Sequence, residues 1–127
     1  MKRFVIESAL LLLFAAISLG GFAKKPLQEQ NNTPMSFTGQ IMDNVCAVRI
    51  SHDAMIQKEG FKNSKDCTLG CVKNGGRFVL YASANKTAYQ LDNQEKPSDF
   101  AGQNVTVIGT YDGVTKTIRI QSIQSAP

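Results

Sequence analysis

From residue 104 to residue 123 the chain alternates with a period of two. Val105, Val107 and Gly109 interleave with Thr106, Ile108 and Thr110, and Ile118 and Ile120 interleave with Arg119 and Gln121. Only an extended strand sends successive side chains to opposite faces, so the pattern predicts strands at 104–111 and 117–123, each with one face on a core. Asp112-Gly113 between them offers the positive φ of a hairpin turn. Three further runs, at 36–45, 77–82 and 87–92, read as strands, and residues 83–86, with Asn85 suited to a turn, join two of them as a second hairpin. Residues 97–102 read as a single helical turn opened by Ser98 and closed by Gly102, with Phe100 facing inward. The predicted fold class is mainly all-β: a five-stranded OB-like Greek-key barrel, whose closure also removes the exposed edges that invite aggregation.

One stretch breaks this texture. Residues 46–76, between the first two strands, hold all three cysteines and the single histidine. Ser51 is placed to cap a short helix ending at Gly60, and Ser64 to cap a second one running through Cys67 and Cys71 to Gly75-Gly76. A connection this long in so small a domain is usually functional or stapled down. The predicted architecture is therefore a barrel domain at 36–125 carrying a short-helix, cysteine-containing insert at 46–76.

The amino-terminal part has a different character. Met1-Lys2-Arg3 precedes an apolar run through Ile17, and Gly21-Phe22-Ala23 puts small residues at the positions a signal peptidase needs. Residues 1–23 are predicted to be a signal peptide cleaved after Ala23, because the run falls short of the roughly 20 apolar residues of a membrane anchor. Residues 24–35, with two prolines and little apolar surface up to Pro34, read as a flexible linker. The predicted location is periplasmic or secreted, with no stable membrane anchor. Across 127 residues, 43% are apolar and 19% charged, an ordinary globular balance that excludes a large multi-domain enzyme. The net charge of +4 is too small and too scattered to argue for nucleic acid.

Export frees thiols to oxidise, and three cysteines is an odd number. Cys67 and Cys71, four apart, share one face of a helix with β carbons about 6 Å apart, too far for a disulfide unless the helix unwinds. Cys46 can meet either one, and closing a loop of about 20 to 25 residues would stabilise the fold by roughly 3 kcal/mol. Alternatively Cys46, His52, Cys67 and Cys71 supply three sulfurs and one nitrogen, a donor set for structural zinc. Copper is the other candidate ion, with the Met55 thioether near. Thiol redox chemistry at Cys67 has the helix start in its favour and the adjacent Asp66 against it. Tyr81 and Tyr89, on the second and third strands, are candidates for a flat ligand face, with Lys73, Arg77 and Lys86 nearby for an anion.

The series Phe37-Thr38-Gly39-Gln40-Ile41-Met42-Asp43-Asn44-Val45-Cys46, with His52, Met55 and Asp66-Cys67-Thr68-Leu69-Gly70-Cys71-Val72-Lys73, resembles a family of small exported bacterial OB-like barrel domains of uncharacterised function. The likeness continues through Tyr89-Gln90-Leu91 and residues 100–113. It implies export and a small barrel, and it implies no activity. The functional expectation is an exported binding or structural module with a disulfide-stapled cysteine insert and no catalysis. The competing expectation is a zinc- or copper-binding or thiol-redox protein using Cys46, His52, Cys67 and Cys71. No nucleic-acid partner is expected. The odd thiol permits either a monomer or a cross-linked dimer.

Overall fold

The computed structural model describes residues 31–49 and 52–127. The signal peptide, the first part of the linker and the Ser51 cap lie outside the described residues. Five strands form a closed barrel: β1 (Asn31–Asp43), β2 (Phe78–Ala82), β3 (Thr87–Leu91), β4 (Asn104–Asp112) and β5 (Thr117–Ser125), in the order β1-β2-β3-β5-β4. All pairings are antiparallel except β3 with β5. This is the mainly β, five-stranded Greek-key barrel of the OB type, with a helical, cysteine-containing insert between the first two strands.

Alternation explains the two carboxy-terminal strands. Val105, Val107, Ile118 and Ile120 fill the barrel with Ile41, Phe78, Leu80 and Leu91. Phe37, Tyr89 and Tyr111 pack beside them with ring centroids 5.5 to 5.8 Å apart. The parallel junction of β3 and β5 is tied by the Asp92 carboxylate, which accepts from the Ile120 amide. The Gln94 amide closes the same end by bonding both the N–H and the carbonyl of Phe78.

Several boundaries differ from the expectation. The first strand begins at Asn31, where residues expected to be linker pair with β4, Asn31 opposite Tyr111 and Met35 opposite Gly109. Sheet pairing gives these polar residues an order that their own apolar content could not supply. Between β4 and β5 the positive φ falls on Lys116, not on Gly113, because Asp112 Oδ1 accepts from the amides of Val114 and Thr115 and shapes the loop itself. The helical turn at Lys96–Phe100 is a 3-10 turn that starts before Ser98, since Asn93 Oδ1 accepts from the amides of Glu95 and Lys96.

The insert folds as three helices, α1 (Asn44–Arg49), α2 (His52–Glu59) and α3 (Ser64–Lys73), laid against the outer wall of β1 and β2. α3 is capped by Asn63, whose Oδ1 accepts from the Asp66 amide; Ser64, the expected cap, is already its first helical residue. A second core lies between helices and wall, built of Met42, Cys46, Ala47, Cys67 and Val79, with Met55, Ile56, Phe61, Cys71 and Tyr81 around it.

Register shifts between Ile108 and Gly109, and a β carbon at Gly109 would stand 2.1 Å from the Arg119 carbonyl oxygen. The neighbouring strand cannot retreat without parting the barrel. Gly109→Ala is expected to lower unfolding free energy by about 2 kcal/mol or more, measured by urea denaturation.

Candidate metal centre

The wall positions the site through one residue. Asp43 ends β1, and its Oδ1 accepts from the amides of Val45, at 3.0 Å, and Cys46, at 2.9 Å. Those bonds cap α1 and turn the chain out of the sheet. Cys46, expected at the end of the first strand, is therefore a helical residue, and its sulfur faces α3. α3 is intact across Cys67 and Cys71, so both sulfurs leave one helix face.

Cys46, Cys67 and Cys71 offer sulfurs that all lie within 4.8 Å of one another, and Cys46 Sγ stands 3.7 Å from Cys67 Sγ. Cys46 and Cys67 are fully buried; Cys71 is partly exposed. A second group shares a member with the first: ligand atoms of Asp43, Cys46 and His52 also lie within 4.8 Å of one another. The sequence reading placed His52 in one set with all three cysteines. Instead it stands with Cys46 and Asp43, and its Nε2 is 3.4 Å from the Thr68 hydroxyl of α3.

Asp43 was not anticipated as a site residue. It is fully buried, Oδ1 is taken by two amides, and Oδ2 has no hydrogen-bond partner. The signal available was an aspartate two and three residues ahead of Val45 and Cys46, the spacing of a helix cap. Thr68, also buried, has no motif to mark it and is singled out only by facing His52.

Electrostatics follow from burial. Desolvation pushes the Cys46 thiol well above its ordinary 9.0, and the neighbouring Asp43 and Cys67 push the same way. Cys71 is raised as well, first by burial and then by the charges of Asp43 and Cys67. Burial lowers His52 from 6.5 against the opposing pull of Asp43 and Asp53. Near neutral pH, His52 is a neutral imidazole with a lone pair to offer. The Cys46 and Cys71 thiols keep their protons until a cation displaces them.

Met55 lines a cleft of about 350 Å³ that also reaches Phe61, Cys71 and Gly76, so its thioether shares an opening with the exposed sulfur. The tyrosines proposed as one ligand face are separated. Tyr81 pairs with Ala88 and packs in the outer core, while Tyr89 pairs with Leu80 and packs in the barrel core. Directly paired residues share a face and neighbours along a strand do not, so Tyr81 and Tyr89 lie on opposite faces of the hairpin. Lys73, Arg77 and Lys86 are exposed.

No family model, curated protein or solved structure matches the chain. Among the described residues no helix is long and apolar enough to cross a membrane.

Two measurements on the reduced, metal-free chain test this geometry. Asp43→Ala removes the α1 cap and is expected to cost about 1 to 2 kcal/mol in urea denaturation, whereas Asp43→Asn keeps the accepting oxygen and costs less than half as much. Because His52 is lowered when folded, the unfolded chain takes up the imidazole proton first. The stability this group contributes is complete above pH 6.5 and is lost as pH falls through the folded value. His52→Gln is expected to flatten that acid limb in denaturation curves recorded across pH.

Proposed function

We propose that this protein is an exported, non-catalytic barrel module whose insert binds a thiophilic metal ion, zinc or cuprous copper, through Cys46, Cys67 and Cys71. The observation that carries the reading is the convergence of three sulfurs from two helices within 4.8 Å. Two sulfurs on one tetrahedral zinc, each about 2.3 Å from the ion, stand about 3.8 Å apart, and Cys46 and Cys67 are separated by 3.7 Å. A metal also accounts for the odd cysteine number, since all three thiolates then have a partner. Thiolate donors select zinc or cuprous ions over harder cations.

The insert and barrel wall share the second core, so an ion fastening α1 to α3 also fastens both helices to β1 and β2. Binding to the folded state alone adds RT ln(1 + [L]/Kd), about 2.7 kcal/mol at a hundredfold excess over Kd. Binding releases thiol protons, so affinity weakens as pH falls.

A second reading has one observation behind it. The 3.7 Å approach of Cys46 to Cys67 lets an oxidising compartment join those two as a disulfide, leaving Cys71 free. Both readings are separated by native and denaturing mass spectrometry of the purified exported form, combined with elemental analysis. Under the metal reading the native mass carries zinc or copper, and all three thiols alkylate only after chelation. Chelation then lowers the thermal midpoint by about 10 °C or more. A metal-free chain two hydrogens lighter than its reduced mass would establish the disulfide instead.

A further inference from the structure

We propose that the centre is binuclear: a second zinc ion sits between Asp43, Cys46 and His52, and the Cys46 thiolate bridges it to the ion held with Cys67 and Cys71. The inference rests on the thiolate–metal reading above and extends it.

Five donor residues surround this pocket, but they form two groups, not one. Cys46, Cys67 and Cys71 make the first, Asp43, Cys46 and His52 the second, and Cys46 belongs to both. A tetrahedral zinc accepts four donors with bonds of about 2.0 to 2.3 Å. One ion placed among the three sulfurs therefore leaves part of the second group without a role, and the unpaired member is costly. Asp43 is fully buried, and Oδ2 is the buried side-chain polar atom without a hydrogen-bond partner among the described residues. An uncompensated carboxylate in an apolar surround is strongly disfavoured, and such groups are normally paired or coordinate metals.

Asp43 has no cationic side chain to meet it: among the described residues the ion pair is Lys58 with Glu59, on the surface of α2. A divalent cation beside Oδ2 supplies the missing charge, takes the imidazole lone pair and shares a thiolate. Mixed oxygen, nitrogen and sulfur donors suit zinc, a borderline-soft ion. The Thr68 hydroxyl facing His52 Nε2 would hold the ring in orientation, as partners of metal-binding histidines commonly do. The second ion would lie deeper, since Asp43 and His52 are buried while Cys71 meets the cleft.

The test is stoichiometry. The chain, made without a histidine tag, reduced and stripped of metal, is titrated anaerobically with zinc and read by native mass spectrometry and competition with a chromophoric chelator. Two zinc ions per chain are expected, falling to one in both Asp43→Asn and His52→Gln, with Cys67 and Cys71 still protected from alkylation. Replacing zinc by cobalt in the wild type should give sulfur-to-cobalt charge-transfer bands and a magnetic moment per ion reduced by coupling through the shared thiolate. Saturation of the wild type at one zinc overturns the binuclear proposal and leaves the thiolate site standing. Two ions retained in both variants would place the second elsewhere and overturn it equally. No zinc bound at all removes both readings together.

Discussion

The carboxylate of Asp43 holds two backbone amides at the point where a barrel strand becomes a helix, and most of what is distinctive in this protein hangs on that contact. Without it β1 would continue past residue 43, and Cys46 would alternate along the sheet instead of facing α3. With it, the strand ends, α1 begins within one residue, and the first sulfur is delivered to the other two. The second oxygen of the same residue is buried without a hydrogen-bond partner. A cap need not be buried or charged, since serine or asparagine serves as well. Here Oδ1 does the capping while Oδ2 is buried without a hydrogen-bond partner, and this is why its environment is informative.

The barrel supplies rigidity at both ends of the insert. β1 pairs with β4 up to Gln40 and with β2 from Gln40 to Asp43, so the strand that ends at the site is held by β2 up to its turn. The returning chain enters β2 at Phe78, whose backbone is clamped by Gln94, while Asn44 accepts from the Arg77 amide. Helices too short to persist alone are thereby fixed by their ends and by the shared outer core. Placement of the sulfurs is a property of this framework more than of the helices.

Much of the framework was legible in the sequence because strands with one buried face leave a period-two record, and β4 and β5 have one: Val105, Val107, Ile118 and Ile120 are all buried. The four-residue spacing of Cys67 and Cys71 correctly implied a common helix face. What escaped was information carried by neighbours in space. Asp43 follows Met42 in an alternating run and reads as an ordinary polar strand position until the fold shows that both faces of the wall are covered there. Asn31 to Met35 are ordered by β4, and nothing in their own composition announces it. The separation of Tyr81 from Tyr89 is different in kind: it was available from parity, because a hairpin that pairs residue 81 with residue 88 must pair residue 89 with residue 80.

The chemistry of the insert turns on which partner satisfies the most groups at once. A Cys46–Cys67 disulfide would consume two of the three thiols and leave Cys71, His52 and the Asp43 oxygen as bystanders, with the carboxylate still unneutralised in the core. One ion among the sulfurs engages all three thiols and screens Asp43 from a distance. Two ions sharing Cys46 engage every polar group that the pocket buries. Burial raises the Cys46 and Cys71 thiols and lowers the imidazole by the same desolvation. The metal-free pocket therefore holds the Cys46 and Cys71 thiols protonated and His52 neutral, and a thiol proton released on binding a cation would exchange a neutral sulfur for a thiolate beside it. Under the metal reading, that exchange would tie the charge balance of the outer core to occupancy of the site, and with it the attachment of the helices to the barrel wall.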